Sequence, residues 1–390
     1  MTWMARTAVI VASLLMTVSA SAASFTDADK ARVDAVATAW VKAGKTPGIV
    51  VGIAADGKLV HTLAFGSADL EHNVPMTGEN IFRVGSITKQ FTSAALMQLA
   101  EQGRVKIDDP ISKFFPDFPR GAEVTIRHLL THTSGIADYT GQDLDDAPKW
   151  RQAYTTDEMI KRIAAITPAY DFAPGTGWRY SNSGYFIAGA IVEKITGERL
   201  RDYLQKNVIA KAGLSADTAL DDDEREVLPR RAEGYDAVAG KPGAYIKGDF
   251  ISMTVPGGAG ALRSTAADLA AWHQALASGK VVSAKSYAEM LTPGRLSDGR
   301  LASEAIFRPA GAPPPPPRRD PVRNYGFGLY TGTLGGHKMI SHTGGIQGFN
   351  SSLANFPDDH LTVIVLANTS DGASVARDIA LAALNIQEKP

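Results

Sequence analysis

The sequence predicts an α+β fold in which both ends of the chain build one antiparallel sheet and an all-helical lobe is inserted between them. Three observations support this prediction. Runs rich in β-forming residues occur near the start and again near the end of the chain, the region between them is mainly helical, and helices flank the strands at both ends. Because a cleft between two lobes often binds small molecules, we expect a functional site there.

The first 22 residues have the pattern of an export signal. Arg6 gives a short basic region, 7–18 is an apolar run, and Ala20-Ser21-Ala22 is a small-residue cleavage site. The apolar run is too short to span a bilayer comfortably, and no later stretch of about 20 apolar residues follows it. We therefore predict export to the periplasm or the medium, with cleavage near Ala22 and no stable membrane anchor afterwards.

The composition is that of a globular protein with a large core. The chain has 390 residues, of which 44% are hydrophobic. It contains no cysteine, which excludes disulfides, lipid attachment through cysteine and thiol chemistry. A formal net charge of −1 at pH 7 gives no indication of a nucleic-acid partner. We expect a small-molecule or peptide substrate, no cofactor and no metal, and the oligomeric state is left open.

The sheet lobe begins with a helix and a hairpin. Apolar residues at helical spacing predict a helix over 27–41. Two β-rich runs follow, 48–55 and 58–66, joined by Asp56-Gly57. An Asp-Gly pair between two such runs is a strong signal for a two-residue turn.

The middle of the chain is mainly helical over 125–233. Amphipathic runs at 156–165 and 185–196 predict two of its helices, and Gly197 ends the second. A polyproline run at 313–317 predicts an exposed spacer before the last strands, with gating of the cleft as the weaker alternative.

Strand patterns return near the end of the chain, and a final helix follows them. The predicted strands are 338–343, 349–356 and 361–368, and the predicted helix is 373–385. These elements complete the sheet that the first hairpin begins. We therefore assign 23–110 and 240–390 to the sheet lobe, and 111–239 to the helical lobe.

Ser86 and Lys89 form the most informative motif, S-x-x-K at the start of a helix that Gly103 ends. Residues three apart on a helix stack one above the other, so the hydroxyl and the amine are neighbours. This helix has few polar positions and should be buried; burial lowers the pKa of a lysine and lets it act as a general base. Backbone N–H groups at a helix start can also stabilise an oxyanion. The alternative is an ordinary helix start, with Ser86 as N-cap and Lys89 reaching solvent.

Tyr180-Ser181-Asn182 lies between a turn and the next predicted helix, so a phenol and a carboxamide project from one loop. If a neighbouring cation lowers the pKa of Tyr180, the phenol can accept the proton of Ser86 or return one to the leaving group. Asn182 can hydrogen-bond Lys89 or a substrate amide. The alternative is a core tyrosine followed by a helix-capping asparagine.

The motif H-T-G-G at 342–345 ends a predicted strand. Glycines let a substrate backbone approach closely, and the N–H of Gly345 is the expected second oxyanion donor. His342 would add a donor near the substrate carboxylate or the Tyr180 oxygen, and Thr343 belongs to the same substrate edge. The alternative for the histidine is a structural role in the strand.

Two further patterns are weaker. His128 and His132 are spaced as metal ligands on a helix can be, but no glutamate accompanies them in an H-E-x-x-H pattern. We interpret both histidines as structural. Ser86 lacks the flanks of a G-x-S-x-G motif, which gives no support to an α/β-hydrolase.

The three motifs in this order resemble those of the serine β-lactamases and penicillin-binding proteins. Class A enzymes and penicillin-binding proteins combine S-x-x-K with S-D-N and K-T-G. This chain is similar to the branch with Y-x-N, which contains class C β-lactamases, D-alanyl-D-alanine carboxypeptidases, D-aminopeptidases and esterases. The resemblance covers nearly all of the chain after the export signal, including 129–135, 257–265 and 342–345.

This resemblance implies a β-lactamase/transpeptidase-like fold and acyl-enzyme chemistry. Ser86 is then the acylated nucleophile, and Lys89 and Tyr180 share the acid and base work. The N–H groups of Ser86 and Gly345 supply the oxyanion donors, and Asn182 orients Lys89.

His342 departs from the class C pattern, which generally has K-T-G there, whereas H-T-G occurs in carboxypeptidase-like and esterase-like members. Histidine is largely neutral near pH 7, so a permanent charge for the β-lactam carboxylate is missing. We expect an exported serine hydrolase acting on a D-amino-acid-type amide or peptide, or on a short-chain ester. One alternative is a class C-like β-lactamase. Another, from a different class, is a penicillin-binding or sensor protein that is acylated without turnover.

Overall fold

The computed structural model describes residues 25–141, 150–223, 225–309, 311, 323–370 and 372–387. The predicted export signal, 1–22, and the polyproline run, 313–317, lie outside these residues, so both stay predictions. In the described part of the chain, the helices are all too short or too polar to cross a bilayer.

Strands occur at both ends of the chain and helices between them. The strands are β1 Gly48–Ala55, β2 Lys58–Asp69, β3 Val74–Pro75, β4 Phe82–Arg83, β5 Ala219–Leu220, β6 Tyr235–Ala237, β7 Tyr245–Lys247, β8 Leu262–Ser264, β9 Asn324–Tyr325, β10 Tyr330–Leu334, β11 His337–Ile346, β12 Phe349–Phe356 and β13 Leu361–Ala367. The helices are α1 Asp27–Lys42, α2 Thr88–Glu101, α3 Ile126–Leu130, α4 Thr156–Ala164, α5 Asn182–Thr196, α6 Leu200–Leu204, α7 Ala210–Ala212, α8 Gly257–Gly260, α9 Ala266–Ala277, α10 Ala284–Leu291 and α11 Val375–Ala383.

An antiparallel sheet of eight strands, in the order β3-β2-β1-β13-β12-β11-β10-β9, confirms the predicted fold class. Strands from the two ends of the chain meet where β1 pairs with β13, with Val51 opposite Val365. Alternate residues of a strand face opposite sides of a sheet. Val51 accordingly belongs to the apolar cluster that includes residues of the terminal helices α1 and α11, whereas Val50 belongs to the other cluster, which includes residues of α2 and α9.

The first hairpin forms as predicted. Ala55 and Lys58 are paired across the turn, and the two residues between them have φ angles of +48° at Asp56 and +77° at Gly57. A two-residue turn of this kind needs positive φ at both positions, which Asp and Gly tolerate better than most residues.

The sequence prediction missed three helices beyond the helical middle, the short α8 and the longer α9 and α10. Helix α9 is buried on nearly all sides, so it lacks the one-sided apolar pattern that identifies a surface helix. A second sheet, in the order β4-β8-β5, joins strands from both predicted lobes. The assigned lobe boundaries stay a prediction.

A buried ion network supports β4, which leads directly into the turn with Ser86. Asp221 is 2% exposed and pairs with three arginines. The distances are 2.8 Å to Arg83 Nε and 3.2 Å to Arg263 Nη1, and Arg231 is the third partner. Losing one member of a buried network leaves uncompensated charge in a medium of low dielectric.

We expect Asp221→Asn to lower the free energy of unfolding by about 3 to 5 kcal/mol, because the three arginines would lose their shared carboxylate. Urea unfolding followed by circular dichroism measures this change. Asp223→Asn is a suitable control, since the Asp223 carboxylate contacts the exposed Arg225, at 3.5 Å from its Nε and 3.1 Å from its backbone N–H, and is not shared by buried arginines. Equal losses in the two variants would contradict the assignment of a supporting role to Asp221.

Candidate active site

Ser86 lies on a tight turn, Gly85–Ile87, that is pressed against strand β11. A Cβ on Gly344 would lie 1.9 Å from the carbonyl oxygen of Val84, so the turn can pack this closely only because position 344 is glycine. Gly85 has a φ of +51°, and a Cβ there would lie 2.9 Å from the backbone nitrogen of Gly345. The nucleophile turn and the glycine-rich strand are therefore in direct contact, as the sequence predicted.

Lys89 lies in the first turn of α2, three residues after Ser86, and is 0% exposed. Its Nζ is hydrogen-bonded to Ser86 Oγ at 3.1 Å, and it donates to two carbonyl oxygens, Asn182 Oδ1 at 2.8 Å and Ala259 O at 2.7 Å. Burial lowers the pKa of Lys89 to about 7, and the charge of Asp138 acts in the opposite direction. The amine is thus neutral in a large fraction of molecules near neutral pH.

Tyr180 precedes helix α5 and lies beside the same amine. The Lys89 Nζ is 4.8 Å from the centre of the Tyr180 ring, and the hydroxyl of Ser86 acts to lower the pKa of the phenol. The condition for a phenolate base, a pKa lowered by a neighbouring cation, is not met, because burial raises the pKa of Tyr180 well above its usual value. Tyr180 is therefore a neutral phenol that can donate or relay a proton, and is no phenolate base.

Asn182 is the first residue of α5 and is held from both sides. Its Oδ1 accepts from Lys89, and its Nδ2 donates to Thr140 Oγ1 at 3.0 Å and to Asp138 Oδ2 at 3.3 Å. Ser181 caps the helix by accepting from the N–H of Gly184. This cap fixes the start of helix α5 at Asn182, whose side chain contacts Lys89.

The edge of β11 provides the surface on which a substrate can lie. Strand β10 pairs with β11 as far as Ser341, so within the described residues 342–346 has no partner on that side. Thr343 and Gly345 are exposed along this segment, whereas His342 and Gly344 are buried. Gly345 is therefore exposed next to the Ser86 turn, and its N–H stays the predicted second oxyanion donor.

His342 is in the site but is not the free donor that the sequence predicted. The side chain is 2% exposed, its Nδ1 donates to the carbonyl of Thr343 at 2.6 Å, and its Nε2 accepts from the hydroxyl of Tyr325 at 3.0 Å. Burial lowers the pKa of His342 to about 3, and the charge of Lys89 acts in the same direction. The imidazole is neutral with both nitrogens occupied, so it offers no cation to a substrate carboxylate.

The predicted structural roles of the two other histidines fit their contacts. His128 Nδ1 accepts from the backbone N–H of Thr125 at 3.3 Å and so caps α3. His132 lies nearer the site: its Nδ1 accepts from the N–H of Ser181 at 3.2 Å, and its ring is 4.3 Å from that of Tyr180. Its φ of +60° is unusual for a residue with a side chain. His132 thus supports the Tyr180 loop.

Sequence reasoning missed three residues that contact the site. They are Asp138, Ala259 and Tyr325. Asp138 and Ala259 lie inside or just beyond segments that carry the family resemblance, but nothing in the spacing of those segments indicates which atoms turn toward Lys89. Tyr325 comes from a two-residue strand with no recognisable pattern.

Comparison with known proteins connects this site to hydrolases. Residues 33–387 match the model of the family described as Beta-lactamase. A D-aminopeptidase of Cereibacter sphaeroides is 29% identical over 345 residues, which are 88% of this chain and 61% of the relative. Esterase EstB of Burkholderia gladioli is 31% identical over 247 residues, 59% of this chain and 60% of the relative. The chain thus spans about three fifths of the length of these two relatives.

A solved structure gives the same connection. The D-amino acid amidase of Ochrobactrum anthropi SV3, complexed with L-phenylalanine amide, superposes with a TM-score of 0.74 at 25% sequence identity. The match covers 92% of this chain and 98% of the amidase. The antiparallel sheet and the inserted helices are therefore shared along nearly the whole of both chains.

Proposed function

The chain belongs to the β-lactamase family, and from this premise we propose that it is a serine hydrolase that works through an acyl-enzyme on Ser86. The hydrogen bonds around Lys89 carry the proposal. A neutral amine has two N–H groups and one lone pair. The carbonyl oxygens of Asn182 and Ala259 accept two N–H groups, so the lone pair of neutral Lys89 is directed at Ser86 Oγ. Lys89 can therefore remove the Ser86 proton.

The remaining groups fit the steps that follow. As Ser86 Oγ bonds to the substrate carbonyl carbon, the N–H groups of Ser86 and Gly345 receive the developing oxyanion. Tyr180, a neutral phenol, passes the proton held by Lys89 to the leaving amine or alcohol as the bond to it breaks. Water then attacks the carbonyl carbon of the Ser86 ester and gives a proton to Lys89. As the bond from that carbon to Ser86 Oγ breaks, Lys89 returns this proton to Oγ, and the acid leaves with the serine hydroxyl restored.

We propose a D-amino-acid amide or peptide as the acyl donor. The relatives named D-aminopeptidase and D-amino acid amidase support this class. His342 gives a second argument about the substrate. Its neutral imidazole has both nitrogens in hydrogen bonds within the protein, so it cannot pair with a substrate carboxylate beside the scissile bond. A neutral leaving group is therefore favoured over the charged one that a carboxypeptidase or a β-lactamase recognises.

We expect the enzyme to cleave D-Ala-D-Ala amide at least about tenfold faster, in kcat/KM, than D-Ala-D-Ala with a free carboxylate, because a charge-assisted hydrogen bond to that carboxylate is missing. The two peptides differ only in the terminal charge, and amino-acid release measured by chromatography compares them. Since the pKa of His342 is about 3, the preference should be the same at pH 5.5 and pH 8. Faster cleavage of the acid would contradict this and would point to Arg323, an exposed guanidinium 5.3 Å from the Tyr330 ring.

A short-chain ester is the second candidate substrate, favoured by the similarity to esterase EstB. An alcohol leaving group carries no charge, so the same argument about His342 applies to it. Nitrocefin, p-nitrophenyl acetate and D-phenylalanine amide should be assayed side by side with the purified protein. Turnover of nitrocefin alone would support a β-lactamase instead.

A further inference from the structure

Asp138 lies behind the contact between Lys89 and Asn182, and the mechanism above gives it no role. Its Oδ1 accepts from the backbone N–H of Asn182 at 3.2 Å, and its Oδ2 accepts from Asn182 Nδ2 at 3.3 Å. Thr140 donates to the same carboxylate through its N–H, at 3.2 Å, and its Oγ1, at 2.9 Å. The carboxylate is therefore fixed by four hydrogen bonds from two residues.

These contacts determine which end of the Asn182 amide faces Lys89. A carboxylate can only accept, so the amide turns its nitrogen toward Asp138. Thr140 Oγ1 donates its own proton to Asp138 and accepts a second amide N–H at 3.0 Å. Both N–H groups of the amide are thereby used, and the oxygen is left for Lys89 at 2.8 Å. A turned amide would instead present N–H groups to the amine.

Asp138 also differs in charge from the other titratable groups near Lys89. In the described part of the chain, the titratable groups that act on Lys89 or lie against it are Asp138, His132, His342, Tyr180 and Tyr185. Burial lowers the pKa of both imidazoles and raises the pKa of both phenols, so these four groups are neutral near pH 7. The carboxylate of Asp138 is the counter-charge to the amine.

We propose that Asp138 is a positioning residue of the active site, which holds the Asn182 amide with its oxygen toward Lys89 and keeps a negative charge behind the amine. The catalytic part of this proposal rests on the proposed function of Lys89, whereas the contacts themselves do not. A purely structural alternative exists, because Asp138 also caps the turn Tyr139–Gly141 through the N–H of Thr140. A simple cap would not influence the protonation of Lys89, so the two roles can be separated.

The protonation of Lys89 can be measured without turnover, by NMR of protein labelled with ¹³C at lysine Cε and assigned with Lys89→Arg. In Asp138→Asn we expect the midpoint of Lys89 to fall by about one pH unit, because an opposite charge nearby is lost. The acid limb of kcat/KM for p-nitrophenyl acetate should move to lower pH by the same amount. Its plateau should fall about tenfold, since a less basic amine is a weaker general base.

Three further variants separate charge from position. Asp171→Asn removes a carboxylate that pairs with Arg179 at 2.7 Å, and it should leave the Lys89 midpoint unchanged. Thr140→Val should lower the plateau without moving the midpoint, because it loosens the amide and keeps the charge. Asp138→Glu should keep the midpoint within a few tenths of a pH unit and lower the plateau.

An unchanged midpoint in folded Asp138→Asn would overturn the proposal. If that variant does not fold, unchanged plateaus in both Thr140→Val and Asp138→Glu would overturn it as well. A wild-type protein that turns over no ester or amide would count against the proposed function alone. The NMR midpoints of Lys89 would still test the positioning role of Asp138.

Discussion

Ser86→Ala is expected to reduce turnover of p-nitrophenyl acetate by about 10⁴-fold or more, because no other group can form the acyl-enzyme. The same variant should lose labelling by a fluorescent fluorophosphonate. The loss belongs to the chemical step, so it should appear in kcat, with little change in KM. Stopped-flow absorbance and gel fluorescence measure the two effects.

Ser93→Ala is the matched control for this experiment. Ser93 lies on helix α2, directly after the Ser86 turn, is buried, and contacts the hydroxyl of Tyr185 at 3.3 Å. It should keep both turnover and labelling. Retained labelling in Ser86→Ala would mean that another residue is the nucleophile. A burst of one equivalent without turnover in the wild type would instead support the penicillin-binding or sensor alternative.

The catalytic motif could be predicted because its geometry is local. Ser86, on the turn that leads into α2, lies three residues before Lys89, and the apolar pattern of α2 indicates the burial of this helix. Their hydrogen bond and the lowered pKa of the amine follow from these two facts. The paired strands β1 and β2 were predictable for the same reason, since one turn fixes both.

The residues behind the motif could not be predicted, because their roles depend on contacts between distant segments. Ala259 offers its carbonyl oxygen to Lys89 across 170 positions of sequence. A neighbouring cation lowers the pKa of a phenol, but the burial of Tyr180 in the fold raises its pKa. For His342, the sequence identifies the imidazole but not the hydroxyl of Tyr325 that donates a hydrogen bond to its Nε2. The sequence pattern thus identifies the proposed nucleophile and the proposed base, whereas the fold determines the protonation of the groups around them.

Lys89→Met is expected to lower kcat/KM for p-nitrophenyl acetate by about 10³-fold to 10⁴-fold, because the general base is lost while an unbranched side chain of similar length remains. In the wild type the neutral amine is the active form, and its pKa is about 7. The kcat/KM of the wild type should therefore rise with pH to a plateau above about 7. The residual rate of the variant should lack this limb. A limb that persists in Lys89→Met would assign the ionisation to another group.

The same substitution should change stability in a pH-dependent way. The pKa of Lys89 is about 7 in the folded protein and 10.5 in its ordinary state, so between these values the unfolded chain binds more protons. Burying Lys89 therefore costs the wild type most at pH 7 and below, and this cost disappears as the pH rises through 10.5. The stability of Lys89→Met relative to the wild type should thus fall by about 4 kcal/mol between pH 7 and pH 10.5.

Urea unfolding of both proteins across this pH range measures the difference. Subtracting the two free energies of unfolding cancels the titration of groups that both proteins contain, such as the buried tyrosines. Lys194→Met serves as the control, because Lys194 is exposed in an ion pair with Asp157 and its removal should give a difference that hardly depends on pH. A difference for Lys89→Met that is equally flat would mean that the amine keeps its ordinary pKa. The lone pair on which nucleophile activation depends would then be absent at neutral pH.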